Sequence, residues 1–76
     1  MPKPNPKNQK AIEKLGLKVR KLRIEKGFTL IELAGLCDVD YTTISKIERG
    51  LINTTVSMIN IIAEALKIHP SVLLED

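Results

Sequence analysis

TLIELAGLCDVDYTTISKIERG, residues 29–50, parses as two short helices joined by a tight turn. Thr29 followed three residues later by Glu32 forms a capping box, which starts a helix at Leu30. Leu30, Leu33, Ala34 and Cys37 then recur on one face of that helix. The turn needs a residue that tolerates positive φ, and Asp38 reaches the left-handed region more readily than most non-glycine residues. Asp40 is placed to cap a second helix that begins at Tyr41. Ile44 and Ile47 supply its inward face and leave Tyr41, Thr42, Ser45, Lys46 and Arg49 for the outside. Gly50 ends it as a C′ residue.

Working outward, Ile12, Leu15, Val19 and Leu22 are spaced 3, 4 and 3 apart. This predicts an amphipathic helix from about Asn8 to Lys26, with Lys10, Lys14, Lys18 and Lys21 turned to water. Gly16 weakens that helix by roughly 1 kcal/mol relative to alanine, so it marks close packing or an irregular start. Gly27 ends the helix, and Phe28 drops towards the core. Residues 1–7, with three prolines, read as a disordered basic arm, either a phosphate or minor-groove contact or a passive tail. The single domain is then 8–76.

On the other side, Leu51-Ile52-Asn53-Thr54 is a loop carrying two apolar residues. Thr55 or Thr54 caps a fourth helix to about Lys67, striped by Val56, Ile59, Ile62, Ala63 and Leu66. Met58, Ile61 and Ala65 broaden that stripe beyond what one packing partner requires. His69-Pro70 suits a cap followed by proline at the first helical position, which starts a last short helix holding Val72, Leu73 and Leu74. Ile59, Ile62, Leu66, Val72, Leu73 and Leu74 together exceed the needs of one small core, and they are assigned to a subunit interface.

Seventy-six residues at 43% hydrophobic content support one small domain with an aliphatic core. The single Cys37 excludes an internal disulfide and reads as a buried small hydrophobe, which fits a reducing cytoplasm. No apolar run reaches the roughly 18 residues of a membrane span, and no secretory signal follows the N-terminal lysines. Cys37 and His69 are too few to hold zinc. No nucleophile–base pair, glycine-rich phosphate loop or carboxylate pair supports catalysis, so neither an enzyme nor a cofactor is expected. The net charge of +3 is unevenly spread: +7 in residues 1–26, −2 in 27–50 and −2 in 51–76. Such asymmetry is compatible with a polyanionic partner.

KVRKLRIEKGFTLIELA, TTISKIERG and INIIAEALKI resemble the Cro/repressor class of helix-turn-helix proteins, the XRE-like family. The resemblance runs over about residues 15–74 and includes the IS-x-IERG ending of the motif. It implies an all-α bundle of about five helices, a lambda-repressor-like DNA-binding domain. It also implies a recognition helix over about 41–49 in the major groove of a palindromic operator, read by a homodimer. Tyr41 and Thr42 then take positions that reach base edges, and Thr43, Ser45 and Lys46 reach bases or nearby phosphates. Thr29 lies where a helix start holds a phosphate, and Asn53 and Thr55 clamp the backbone on the other side. Arg23 and Glu48 match an ion pair tying the first helix to the third. Two departures stand out: Leu30 replaces a Gln or Ser, and Asp38 replaces the turn glycine. With Asp40, the latter brings negative charge to the DNA-facing side.

The expected function is a sequence-specific transcriptional regulator whose main partner is double-stranded DNA, controlled through dimer concentration, operator arrangement or partner proteins. Restriction–modification controllers, phage repressor-like proteins and some antitoxins all share this fold. The alternative is a protein-interaction module that kept the bundle and lost DNA recognition, as in an antitoxin bound to its toxin. Asp38, Asp40, Leu30 and the broad apolar band of helix four motivate that alternative.

Overall fold

A computed structural model describes residues 6–75, which form five helices and no strand. They are α1 (Pro6–Glu25), α2 (Leu30–Cys37), α3 (Tyr41–Glu48), α4 (Val56–Leu66) and α5 (Pro70–Leu74). α1 starts two residues ahead of the expected Asn8, because Pro6 takes the first helical position, where its fixed φ fits and its missing N–H is no loss. Pro6 and Lys7 of the expected arm therefore belong to α1, and its residues 1–5 lie outside the described residues.

Local chemistry sets the other helix ends. Gly27, at φ 81°, closes α1 with two bonds: the Phe28 N–H donates to the Arg23 carbonyl and the Gly27 N–H to that of Ile24, both at 3.0 Å. The Thr29 hydroxyl accepts from the Glu32 N–H at 3.1 Å, and the Glu32 carboxylate accepts from the Thr29 N–H at 2.9 Å. The Thr29 N–H, and after it the Thr29 hydroxyl, lowers the pKa of the Glu32 carboxyl from its ordinary value. The carboxylate's contribution to stability is thus complete above its ordinary value and is lost as pH falls through the lowered one. Asp38 ends α2 in the left-handed region, at φ 56° and ψ 45°. Asp40 sits at the N-cap of α3, but its side chain makes no capping bond, contrary to the role expected of it. Thr55, rather than Thr54, caps α4 by accepting from the Met58 N–H at 3.0 Å. The His69 Nδ1 accepts from the Ser71 N–H at 3.1 Å and caps α5.

Each helix contributes to one aliphatic core: Val19 from α1; Leu33, Ala34 and Cys37 from α2; Ile44 and Ile47 from α3; Ile62, Ala63 and Leu66 from α4; Leu73 from α5. Phe28 is half-buried against it. α1 packs most extensively on α3, and α2 on α3 and α4. Gly16 is what lets α1 approach so closely. A Cβ there would collide with the backbone carbonyl oxygen of Ile47 and lie 2.8 Å from that of Glu48. One turn and more upstream, the Gln9 amide donates to the Gly50 carbonyl at 3.2 Å.

The core corrects part of the expected subunit interface. Ile62, Leu66 and Leu73 are at most 2% exposed and hold the chain's own helices together. They are closed to a second copy without unfolding. Ile59 and Val72 are half-buried and Leu74 is 65% exposed, so these three retain accessible surface.

Candidate nucleic-acid interface

α3 is a sided helix. Ile44, Ile47 and Glu48 are buried, Thr43 and Ser45 are half-buried, and Tyr41, Thr42, Lys46 and Arg49 at its end are exposed. The inward isoleucines, three apart, fix the rotation of the helix, so its polar residues must face away from the core. The outward row carries hydroxyls, a phenol, an ammonium and a guanidinium, groups that donate and accept hydrogen bonds to base edges or phosphates.

The start of α2 lies on the same surface. Leu30, beside Thr29, shares a surface hollow with Ser45 and Arg49. The Thr29 hydroxyl is engaged in the capping box, so an anion here would meet the N–H groups of Leu30 and Ile31, which at this position of a helix have no intrahelical partner. Leu30 itself is half-buried against the core and packs as an apolar wall where the family pattern has an amide. Asn53 and Thr54 lie apart from this hollow, in a groove bordered by Asn8, Ile12 and Ile47. Asn53 and Thr55 are both exposed just ahead of α4.

One buried ion pair holds α3 against α1. The Arg23 Nε donates to Glu48 Oε2 at 2.7 Å and its Nη2 to Oε1 at 3.1 Å, while Nη1 donates to the Phe28 carbonyl at 2.8 Å. The two side chains are 11% and 5% exposed. Such a bidentate fork fixes direction as well as distance. Among the described residues no buried side-chain nitrogen or oxygen lacks a partner. At the other end of α3, Asp38 and Asp40 are exposed at the α2–α3 turn and lower the potential there.

Arg49 belongs to this surface, although the resemblance gives it no contact with DNA. Its spacing carries the signal: four residues after Ser45 and eight after Tyr41, it lies on the same helical face. Arg20 of α1 borders the same hollow, and no spacing within α3 could reveal that. Among the described residues no cluster of three or more His, Cys, Asp or Glu side chains could hold a metal. Burial pushes the Cys37 thiol up, away from a reactive thiolate. No described helix is long and apolar enough to cross a membrane.

A helix-turn-helix family model, HTH_3, matches residues 19–73. No curated protein sequence matches the chain. Among solved structures, the chain is similar to the restriction-modification controller protein C.AhdI from Aeromonas hydrophila. The identity is 35% and the TM-score 0.80, over 82% of this chain and 94% of that one. It is similar to the hypothetical transcription factor NHTF from Neisseria at 33% identity and TM-score 0.84, over 99% and 86% of the two chains. The clp gene regulator ClgR from Corynebacterium glutamicum follows at 32% and 0.79, over 95% and 87%. With five helices, an outward-facing α3 and this breadth of similarity, the chain belongs to the Cro/C1-type (XRE) helix-turn-helix family of DNA-binding transcription regulators.

Proposed function

We propose that the protein binds a palindromic operator as a homodimer, with α3 in the major groove of each half-site. The observation that carries this reading is the outward row of α3, held rigidly by the Arg23–Glu48 fork. Tyr41 and Thr42, at the start of α3, are assigned to base edges, with Thr43, Ser45 and Lys46 on bases or adjacent phosphates. Thr29, Asn53 and Thr55 flank them on the backbone. Half-sites fall about one helical turn apart, 10–10.5 base pairs, as the two-fold symmetry of such dimers requires. Similarity to a restriction-modification controller and to a clp gene regulator supports a regulatory role.

The test is selection of bound duplexes from a random pool, followed by affinity measurements across a salt series. A two-fold symmetric motif is expected, with affinity falling steeply as salt rises, about −0.9 in the log–log slope per phosphate contacted. Tyr41→Ala should weaken binding by about 1–3 kcal/mol and relax the preference at one position of each half-site. Binding without a motif, and insensitive to salt, would end this reading. The exposed turn acids and Val56, at 75% exposure on α4, would then favour a protein partner instead.

For the dimer, the surface left after the core is accounted for is Ile59, Val72 and Leu74, extended by Ile61 at 39% exposure. Leu74→Asp places a charge on that surface without touching the core. It is expected to shift the sedimenting species to monomer and to flatten the salt slope towards that of a single half-site. Unchanged sedimentation would move the interface elsewhere.

A further inference from the structure

The hollow between α1, α2 and α3 is lined by Arg20, Arg23, Leu30, Ser45, Glu48 and Arg49. Three guanidinium groups against one carboxylate give it a formal charge of +2. The Arg23 charge is neutralised, since its Nε and Nη2 engage Glu48 and its Nη1 engages the Phe28 carbonyl. Arg20 and Arg49 are different. Both are exposed, and the one ion pair resolved among these residues is Arg23–Glu48. Arg49 makes a single long hydrogen bond, Nε to the Ser45 carbonyl at 3.4 Å, which leaves its Nη groups outside it. Glu13 is a second acid on this side of α1: it borders a shallow depression with Leu17, Arg20, Glu48 and Arg49, and it packs against Gly50, next in sequence to Arg49. It lies seven residues before Arg20, about 10 Å along the helix axis, too far for the pairing that residues three or four apart make. Its carboxylate also accepts from the Gln9 amide at 3.3 Å.

We infer that Arg20 of α1 and Arg49 at the end of α3 form a guanidinium clamp that closes on one DNA backbone phosphate beside the recognition helix. The inference rests on the DNA-binding reading and adds to it a phosphate-binding group from α1. A phosphate matches two planar forks, through paired N–H···O bonds. The apolar wall of Leu30 offers the hollow no competing hydrogen bond. Ser45 and the start of α2 border the same hollow, so an anion held there is part of whatever lies across α3. The clamp also answers an electrostatic difficulty. Residues 27–50 carry −2 overall, with Asp38 and Asp40 at the turn, so α3 and its surroundings attract a polyanion poorly unaided. Arg20 brings the positive charge of α1 to the opposite end of α3. The two ends of α3 thereby differ in potential, positive at Arg20 and Arg49 and negative at the turn, which favours one direction of the duplex across the protein.

The experiment measures the salt dependence of binding to the duplex selected by the wild-type protein, for wild type, Arg20→Gln, Arg20→Lys and Lys10→Gln. Lys10→Gln removes the same charge from the side of α1 that faces Leu73 and Glu75. Arg20→Gln is expected to reduce the slope by about 1.8 and the affinity at 0.1 M salt by about sixtyfold, as follows when one phosphate in each half-site of the dimer's operator is no longer neutralised. Arg20→Lys should restore the slope while recovering only part of the affinity, since an ammonium lacks the fork. Lys10→Gln should leave the slope unchanged. Thermal unfolding of Arg20→Gln should match wild type, because the side chain is exposed. If Arg20→Gln keeps the wild-type slope, or if Lys10→Gln lowers it equally, the clamp is wrong and the charge acts only diffusely. A wild-type protein that binds no duplex would instead overturn the DNA-binding reading itself.

Discussion

Glu48→Ala is expected to lower the unfolding free energy by about 3–5 kcal/mol, because it strands a guanidinium that is almost out of water. Arg23 is 11% exposed and would keep only the Phe28 carbonyl as an acceptor. A chain of 76 residues has a total stability of roughly 4–11 kcal/mol, so a large share of the molecules would be unfolded in modest urea. Urea denaturation followed by far-UV circular dichroism measures the loss directly. Replacing both partners separates the pair from its surroundings. Arg23→Met with Glu48→Leu should be more stable than Glu48→Ala alone, because it buries no unpaired charge. Equal denaturation midpoints for the single and double variants would mean that the pair is not what holds α3 against α1. The double variant is also informative about DNA, since it is expected to keep the fold while removing the fork that aims α3, the proposed recognition helix. Weaker binding at near-normal stability would assign the ion pair a positioning role.

Gly16→Ala should have the second-largest effect, and its sign is the point. In an ordinary helix interior this change stabilises by about 1 kcal/mol. Here the new methyl meets backbone, the carbonyl oxygens of Ile47 and Glu48, which cannot rotate away as a side chain could. Overpacking of this kind costs about 3 kcal/mol at the upper end of the usual range, for a net loss near 2 kcal/mol. Gly35→Ala is the matched control. It lies within α2, and nothing stands within 4 Å of its missing Cβ, so it should gain about 0.5–1 kcal/mol. A stabilised Gly16→Ala would show that α1 and α3 can part far enough to admit a methyl group without penalty.

What can be read in the sequence is mostly local. The Thr29–Glu32 box, the left-handed Asp38 and the Pro70 start each depend on residues within four positions of one another, and the structure has all three. The apolar faces of α2 and α3 follow from periodicity for the same reason. Periodicity names a face but not what covers it, and this is why Ile62, Leu66 and Leu73 belong to the core rather than to the expected interface. A core of seven large, fully buried side chains in so short a chain takes the centre of the apolar stripe of α4 and the middle of α5. Only the margins of the stripe are left over for a second subunit. Asp40 fails as a cap because an acceptable residue type does not fix its side-chain rotamer; the backbone takes the N-cap conformation without it. Gly16 is legible as an anomaly, though not as the point where two backbones meet. The hollow containing Arg20 is out of reach, since it joins residues from three helices that only tertiary packing brings together.

The close approach at Gly16 and the fork at Glu48 lock α3 to α1 at two neighbouring points. If α3 reads DNA as proposed, an element fixed in this way has little freedom to tilt or slide to suit an imperfect site. The ordering entropy of its backbone is already lost in folding, before any duplex arrives. Misfit between protein and site must therefore be absorbed by bending or twisting the DNA, at a cost set by the base steps being deformed. Sequence preference would then extend to base pairs that no side chain touches, and flexible pyrimidine–purine steps there would count as much as a missing hydrogen bond.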